Sequence, residues 1–201
     1  MKQHLKIWEI SLLVALCVTF CVGLFAKAEQ SRISGELIRL HVIANSDSTG
    51  DQAAKLRVRD SMLEVLTPML DKASDLNEAE SIIESSLPQL CRVAEACLRG
   101  SGKYYSVKAQ ICMESYPTRS YEGFALPAGD YISLKIILGA GLGHNWWCVV
   151  FPPLCMTSVE DKNAFSGLSD ETEKLITCDG EEYRVKFRIV ELYEQLKQSL
   201  K

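Results

Sequence analysis

From Ile10 to Phe25, sixteen positions, the chain carries no charge; Lys2, His4 and Lys6 stand ahead of that run, and Ala26-Lys27-Ala28 follows it before polarity returns at Glu29. A basic start, an apolar core and small residues in this order are the pattern of an export signal. Sixteen uncharged, mostly apolar positions also approach the roughly 20 that span a bilayer. Residues 1–28 are therefore expected to be a signal peptide cleaved after Ala28 or a retained anchor. Residues 29–201 would then form one exported globular domain, touching membrane only through residues 7–26 if the segment stays.

Past this segment the pattern alternates between two periods. Glu36 to Ala44 reads as a strand, and Asn45-Ser46-Asp47-Ser48 supplies turn and helix-cap chemistry. From Asp51 to Met69 the apolar residues Ala54, Leu56, Val58, Met62, Leu63, Val65 and Leu66 recur at helical spacing, with Pro68 near the end. A second helical stretch covers Asn77 to Leu98, with a break or new start at Ser86 and Pro88 and a stop at Gly100-Ser101-Gly102. Tyr104–Met113, a short piece Tyr121–Leu126 and Tyr131–Leu138 are expected to pair as an antiparallel meander. Trp146–Phe151 adds a strand ended by Pro152-Pro153. Residues 168–178 read as a helix capped by Ser169, and Tyr183 to Ile189 alternates before a helical C-terminus. The predicted class is α+β: a mixed or antiparallel sheet with helices packed on one face, preceded by an N-terminal apolar helix.

Composition narrows the function classes. A chain of 201 residues, 47% apolar and 24% charged, builds one core. A mean hydropathy near zero with one long apolar run excludes a polytopic membrane protein. With 26 acidic against 22 basic side chains, the chain does not cover phosphates, and nucleic acid is not an expected partner. Lys2, Lys6, Lys27 and Glu9 precede residue 29, so the exported part has 19 basic and 25 acidic groups, a formal charge of −6. It is expected to be soluble and not drawn to an anionic membrane face.

Of eight cysteines, Cys17 and Cys21 lie in the apolar run. Cys91 and Cys97 sit about 9 Å apart along one predicted helix, too far to bridge each other. Cys148 and Cys155 can bridge if Pro152-Pro153 turns the chain back; buried free thiols are the other expected state. His144, Cys148 and Cys155 lack zinc-knuckle spacing and no Cys-x-x-Cys occurs, so neither metal nor cofactor is expected. Gly139–Gly143 precedes a strand and lacks a Gly-Lys-Ser/Thr ending. It reads as a hairpin connection, not a phosphate loop.

Two groups remain. His41, Asp47, Asp51 and Asp60 surround the predicted strand-to-helix junction, where Asp47 and Ser48 serve as caps, Asp51 meets the helix dipole, and Asp51 with Lys55 makes a solvated i,i+4 pair. A catalytic carboxylate pair there stays open. Trp146 and Trp147 point to opposite faces of their strand, so at least one indole must be covered by a second layer or a partner.

The run Arg39-Leu40-His41-Val42-Ile43-Ala44-Asn45-Ser46-Asp47-Ser48, with Asp51-Gln52 and Lys55-Leu56-Arg57-Val58-Arg59-Asp60, resembles the first signature of the stage II sporulation protein R family. Tyr116-Pro117-Thr118-Arg119-Ser120-Tyr121 with Pro127-Ala128-Gly129-Asp130-Tyr131, and Gly141 to Cys155, are similar to its second and third. His144 departs from the more typical polar residue, such as Gln, expected at its position. The resemblance implies a signalling protein without catalytic residues, exported from the forespore into the intermembrane space. Its expected partner is a membrane-embedded aspartic protease of the mother cell, stage II sporulation protein GA, which cleaves the pro-sequence of sigma factor E. Partner contacts are expected at His41, Asn45, Asp47, Asp51, Tyr116, Tyr121, Asn145, Trp146, Trp147 and Pro152. The rival reading is an extracytoplasmic cell-wall or peptide hydrolase using Cys148 or the acidic cluster.

Overall fold

The computed structural model describes residues 6–121, 124–154 and 168–177. The apolar run lies in α1 (Ile7–Ser34), a single continuous helix. Its large apolar side chains are exposed, Leu12 by 63% and Phe20 by 66%, and it is long and apolar enough to cross a membrane. Export or anchoring is what such a segment fits. The helix outlasts the apolar run, and its last turns lie on the folded body. There Ile33 is buried, Gln30 donates to the Asp130 carbonyl at 3.2 Å, and Arg32 bridges Glu29 and Glu171 at 2.7 and 2.5 Å.

From Phe25 to Gln30 is about 7 Å of helix, so a retained anchor holds the body close to the bilayer. Cleavage after Ala28 leaves every docked residue with the body. A form beginning at Gly35 is accordingly expected to be about 2 kcal/mol less stable than one beginning at Glu29, the contribution of one buried Ile. Thermal melting measures this, and equal melting temperatures would show that the docked turns contribute nothing.

After α1 come β1 (Ile38–Ile43), α2 (Thr49–Leu70), α3 (Leu76–Gly100), β2 (Val107–Tyr116), β3 (Arg119–Tyr121), β4 (Phe124–Leu126), β5 (Gly129–Leu138), β6 (Asn145–Phe151) and α4 (Asp170–Thr177). The class is α+β, as predicted. Four strands form a mixed sheet in the order β2-β5-β1-β6, with β1 parallel to β5 and the other pairs antiparallel. β2 and β5 pair antiparallel as expected, but directly with each other: the piece Tyr121–Leu126 expected to take part in the meander folds off within the separate β3–β4 hairpin. β1 takes an interior position because both of its faces are buried: Ile38, Leu40 and Val42 on one, Arg39 and His41 on the other. As a result Gly139–Gly143 does not close a hairpin; it straps across the end of β1 to carry the chain from β5 to β6.

Ser48 caps α2 by accepting from the Asp51 N–H at 3.2 Å, and Asp75 caps α3 by accepting from the Glu78 N–H at 2.8 Å. The break expected at Ser86 and Pro88 does not occur. α3 runs through both, with the Ser86 hydroxyl donating to the Ile82 carbonyl at 2.7 Å. A buried stripe of Ala79, Ile83, Leu90, Ala94 and Leu98 clamps it to the sheet and outweighs the bond lost at proline. α2 and α3 thus cover one sheet face.

A smaller core on the other face joins Ile33, Leu37, Tyr116, Leu126, Tyr131, Val149 and Ile176. α4 contributes Ile176, and Ser169 caps it as predicted by accepting from the Thr172 N–H at 3.3 Å. The predicted alternation from Tyr183 and the C-terminal helix lie outside the described residues.

Candidate functional site

At the β1–α2 junction Asp51 is 3% exposed and accepts from Asn45 Nδ2 at 2.8 Å, Ser46 Oγ at 2.6 Å, Lys103 Nζ at 2.7 Å and the Tyr105 hydroxyl at 3.3 Å. Asn45, then Lys103 and Ser46, outweigh burial and hold this carboxyl well below the usual carboxylate range. Burial, reinforced by the Asp51 charge, pushes the Tyr105 phenol up to about 12. Lys55 is not the solvated partner of Asp51 that its spacing suggested. It is 5% exposed and donates to Gln52 Oε1 at 2.6 Å and the His144 carbonyl at 2.9 Å, and burial lowers its pKa.

The glycine strap closes on the same junction. Asn45 Oδ1 accepts from the Ala140 N–H at 2.9 Å, the Ala44 carbonyl accepts from the Gly143 N–H at 2.9 Å, and Asp47 accepts from the His144 N–H at 2.7 Å while also meeting its Nδ1. This end of the molecule is a polar lock whose groups satisfy one another.

The sheet face opposite α2 and α3 is organised differently. Register places Arg39 beside Ser133 and Val149, and His41 beside Lys135 and Trp147. His41 Nδ1 lies 3.0 Å from Glu114, which also accepts from Lys135 Nζ at 2.7 Å. Burial opposes ionisation of Glu114, but hydrogen bonds from Lys135, Ser133 and His41 prevail and hold its pKa down. Trp147 sits 5.8 Å from the His41 ring and 5.9 Å from Tyr116, and the Arg119 guanidinium lies 4.2 Å from the Trp147 centroid. Below His41, fully buried Arg39 is surrounded by the rings of Tyr116, Tyr131 and Tyr121 at 4.1, 5.1 and 5.9 Å, and its Nη2 donates to the Tyr121 hydroxyl at 2.5 Å.

The family described as stage II sporulation protein R (spore_II_R) matches residues 34–161, more than half of the chain. The stage II sporulation protein R of Bacillus subtilis (strain 168) is 35% identical over 150 residues, 72% of this chain and 67% of that protein. This chain belongs to the stage II sporulation protein R family. No solved structure matches it.

The match to the stage II sporulation protein R family spans both the polar lock and the aromatic face. Of the residues expected to contact a partner, His41, Tyr116, Tyr121 and Trp147 meet on that face. Asn45, Asp47 and Asp51 belong to the lock, next to exposed Asn145. Trp146 points the other way, onto the α2 side, with the Arg59 guanidinium 4.4 Å from its centroid. Pro152 is buried at the far end of β6. Sequence reasoning missed Arg39, Glu114, Lys135 and Arg119. The available signal was the alternation Arg39-Leu40-His41-Val42, which puts two nitrogen-bearing side chains on the face away from the helices.

The hydrolase alternative fares poorly residue by residue. Cys148 is disulfide-bonded, contrary to the free-thiol expectation, and offers no thiolate; Cys155 lies outside the described residues. Asp51 is saturated with donors, Asp47 is engaged by His144, and Asp60 pairs with Arg59 at 2.6 Å.

Proposed function

We propose that this protein is an exported signalling ligand of sporulation that switches on a membrane-embedded aspartic protease of the mother cell, stage II sporulation protein GA, and thereby promotes removal of the pro-sequence of sigma factor E. Membership of the stage II sporulation protein R family is the observation that carries this reading. The apolar α1 supports delivery across or onto a membrane, and the engagement of Cys148, Asp47 and Asp51 in structural bonds supports action by binding.

An activator must bind the active arrangement of its target more tightly than the inactive one, since equal affinity shifts nothing. On the sheet face away from α2 and α3, His41 and Tyr116 are buried, while half-buried Tyr121 and Trp147, with exposed Arg119 against the Trp147 ring, are the aromatic groups within reach of a partner. Residues 29–201 act here as one exported unit in the intermembrane space. Expression of the full chain, the protease and pro-sigma factor E together in a host that does not sporulate tests the reading. Cleavage is expected only when all three are present; cleavage independent of the chain would end it.

A further inference from the structure

Arg39 is a fully buried guanidinium for which no carboxylate among the described residues lies within ion-pairing distance, and its Nε and Nη1 are buried with no hydrogen-bond partner. Two residues along the same face, His41 Nε2 is also buried and unpartnered, while Nδ1 is held by Glu114. An uncompensated buried charge opposes folding, and packing an apolar side chain of similar volume in its place is commonly neutral or stabilising. The tyrosine rings around Arg39 recover part of that cost through their π faces. They do not satisfy in-plane N–H groups, which call for an oxygen acceptor.

Resting on the reading above, we propose that Arg39 is the receptor for a carboxylate on an acidic segment of the partner protease, and that the Tyr121 hydroxyl holds the acceptor position until that carboxylate displaces it. Tyr121 is only partly buried, its hydroxyl bonded to Arg39 and its ring stacked 4.7 Å from Phe124. Lys135 and exposed Arg119 add positive charge to this face, against Glu114, on a molecule whose exported part has a formal charge of −6. Positive charge on this face is what an acidic peptide would meet.

The test uses the full chain and the protease in vesicles, reading the concentration of chain needed for half-maximal cleavage together with the melting temperature of the chain. Arg39→Met is expected to melt at or above the wild-type temperature yet to require roughly 30-fold more protein or more, the loss typical of a truncated buried charge contact. Each Asp and Glu in the extracytoplasmic loops of the protease is then replaced by Asn or Gln. One of them is expected to reproduce the loss and to add nothing when combined with Arg39→Met.

Folded Arg39→Met that activates like wild type, or a protease scan in which no carboxylate couples to Arg39, overturns the proposal and leaves the signalling role standing. Failure of the wild-type chain to activate at all sinks the role itself. If Arg39→Met does not fold, Arg39→Lys decides: with the charge kept and the planar fork lost, a several-fold rise in the half-maximal concentration is expected at an unchanged melting temperature, and activation equal to wild type contradicts the proposal.

Discussion

Asp51→Ala lowers stability by about 3 kcal/mol, because Asn45, Ser46 and Tyr105 each lose an acceptor in a buried setting where a stranded donor costs about 1–3 kcal/mol. For a chain of this size that is a fall of about 10 °C in melting temperature. The same carboxylate sets an acid limit. Its folded pKa lies below the ordinary value of 3.8, so its contribution is fully present above about pH 4 and drains away as pH falls toward the lowered value. The gap between wild type and Asp51→Ala should therefore narrow steadily as pH falls below about 4. Melting curves across pH 2–7 check both statements, and a constant gap between the two proteins contradicts this account of the lock.

Gly143→Ala should be as damaging for a steric reason. A Cβ there would come within 2.3 Å of the Ser46 carbonyl oxygen, 2.6 Å of its carbon and 2.9 Å of Ala44 Cβ, and backbone atoms cannot rotate out of the way. Relief requires the strap to lift off β1, breaking the 2.9 Å bond from the Gly143 N–H to the Ala44 carbonyl and the nearby bond from His144 to Asp47. About 3 kcal/mol is expected, the upper range of overpacking penalties. Gly100→Ala, where a new Cβ meets nothing within 4 Å, is the control and should be near neutral. Denaturant midpoints of the two variants measure the contrast, and similar midpoints would show that the strap yields easily.

The strands and helices were legible because their periods are unmixed: the apolar stripe of α3 and the alternation of β5 each announce one face. Topology was not. Nothing local says that β1 inserts between β5 and β6, since this follows from β1 being buried on both faces, and one of those faces carries Arg39 and His41. The polar identity of Arg39 and His41 gives no local sign of that central position. Arg39 and Glu114 join the site only through the pairing of β1 and β2 with β5, which no local pattern announces. Capping chemistry at Ser48 and Ser169 was readable because it is decided within three residues. The partners of Asp51 were not, for Lys103 and Tyr105 arrive from beyond α3. Trp146 and Trp147 show the limit of alternation: opposite faces follow from the strand, but which indole faces the site depends on which side α2 and α3 cover.

Signalling by binding makes one demand that no hydrolase meets. Purified full chain, titrated into vesicles containing the protease and its pro-sigma substrate, should produce cleavage that rises with chain concentration and saturates. The chain and substrate without protease should yield no product over the same time. A chain that cleaves the substrate alone, or a protease whose rate ignores the chain at every concentration, contradicts the account.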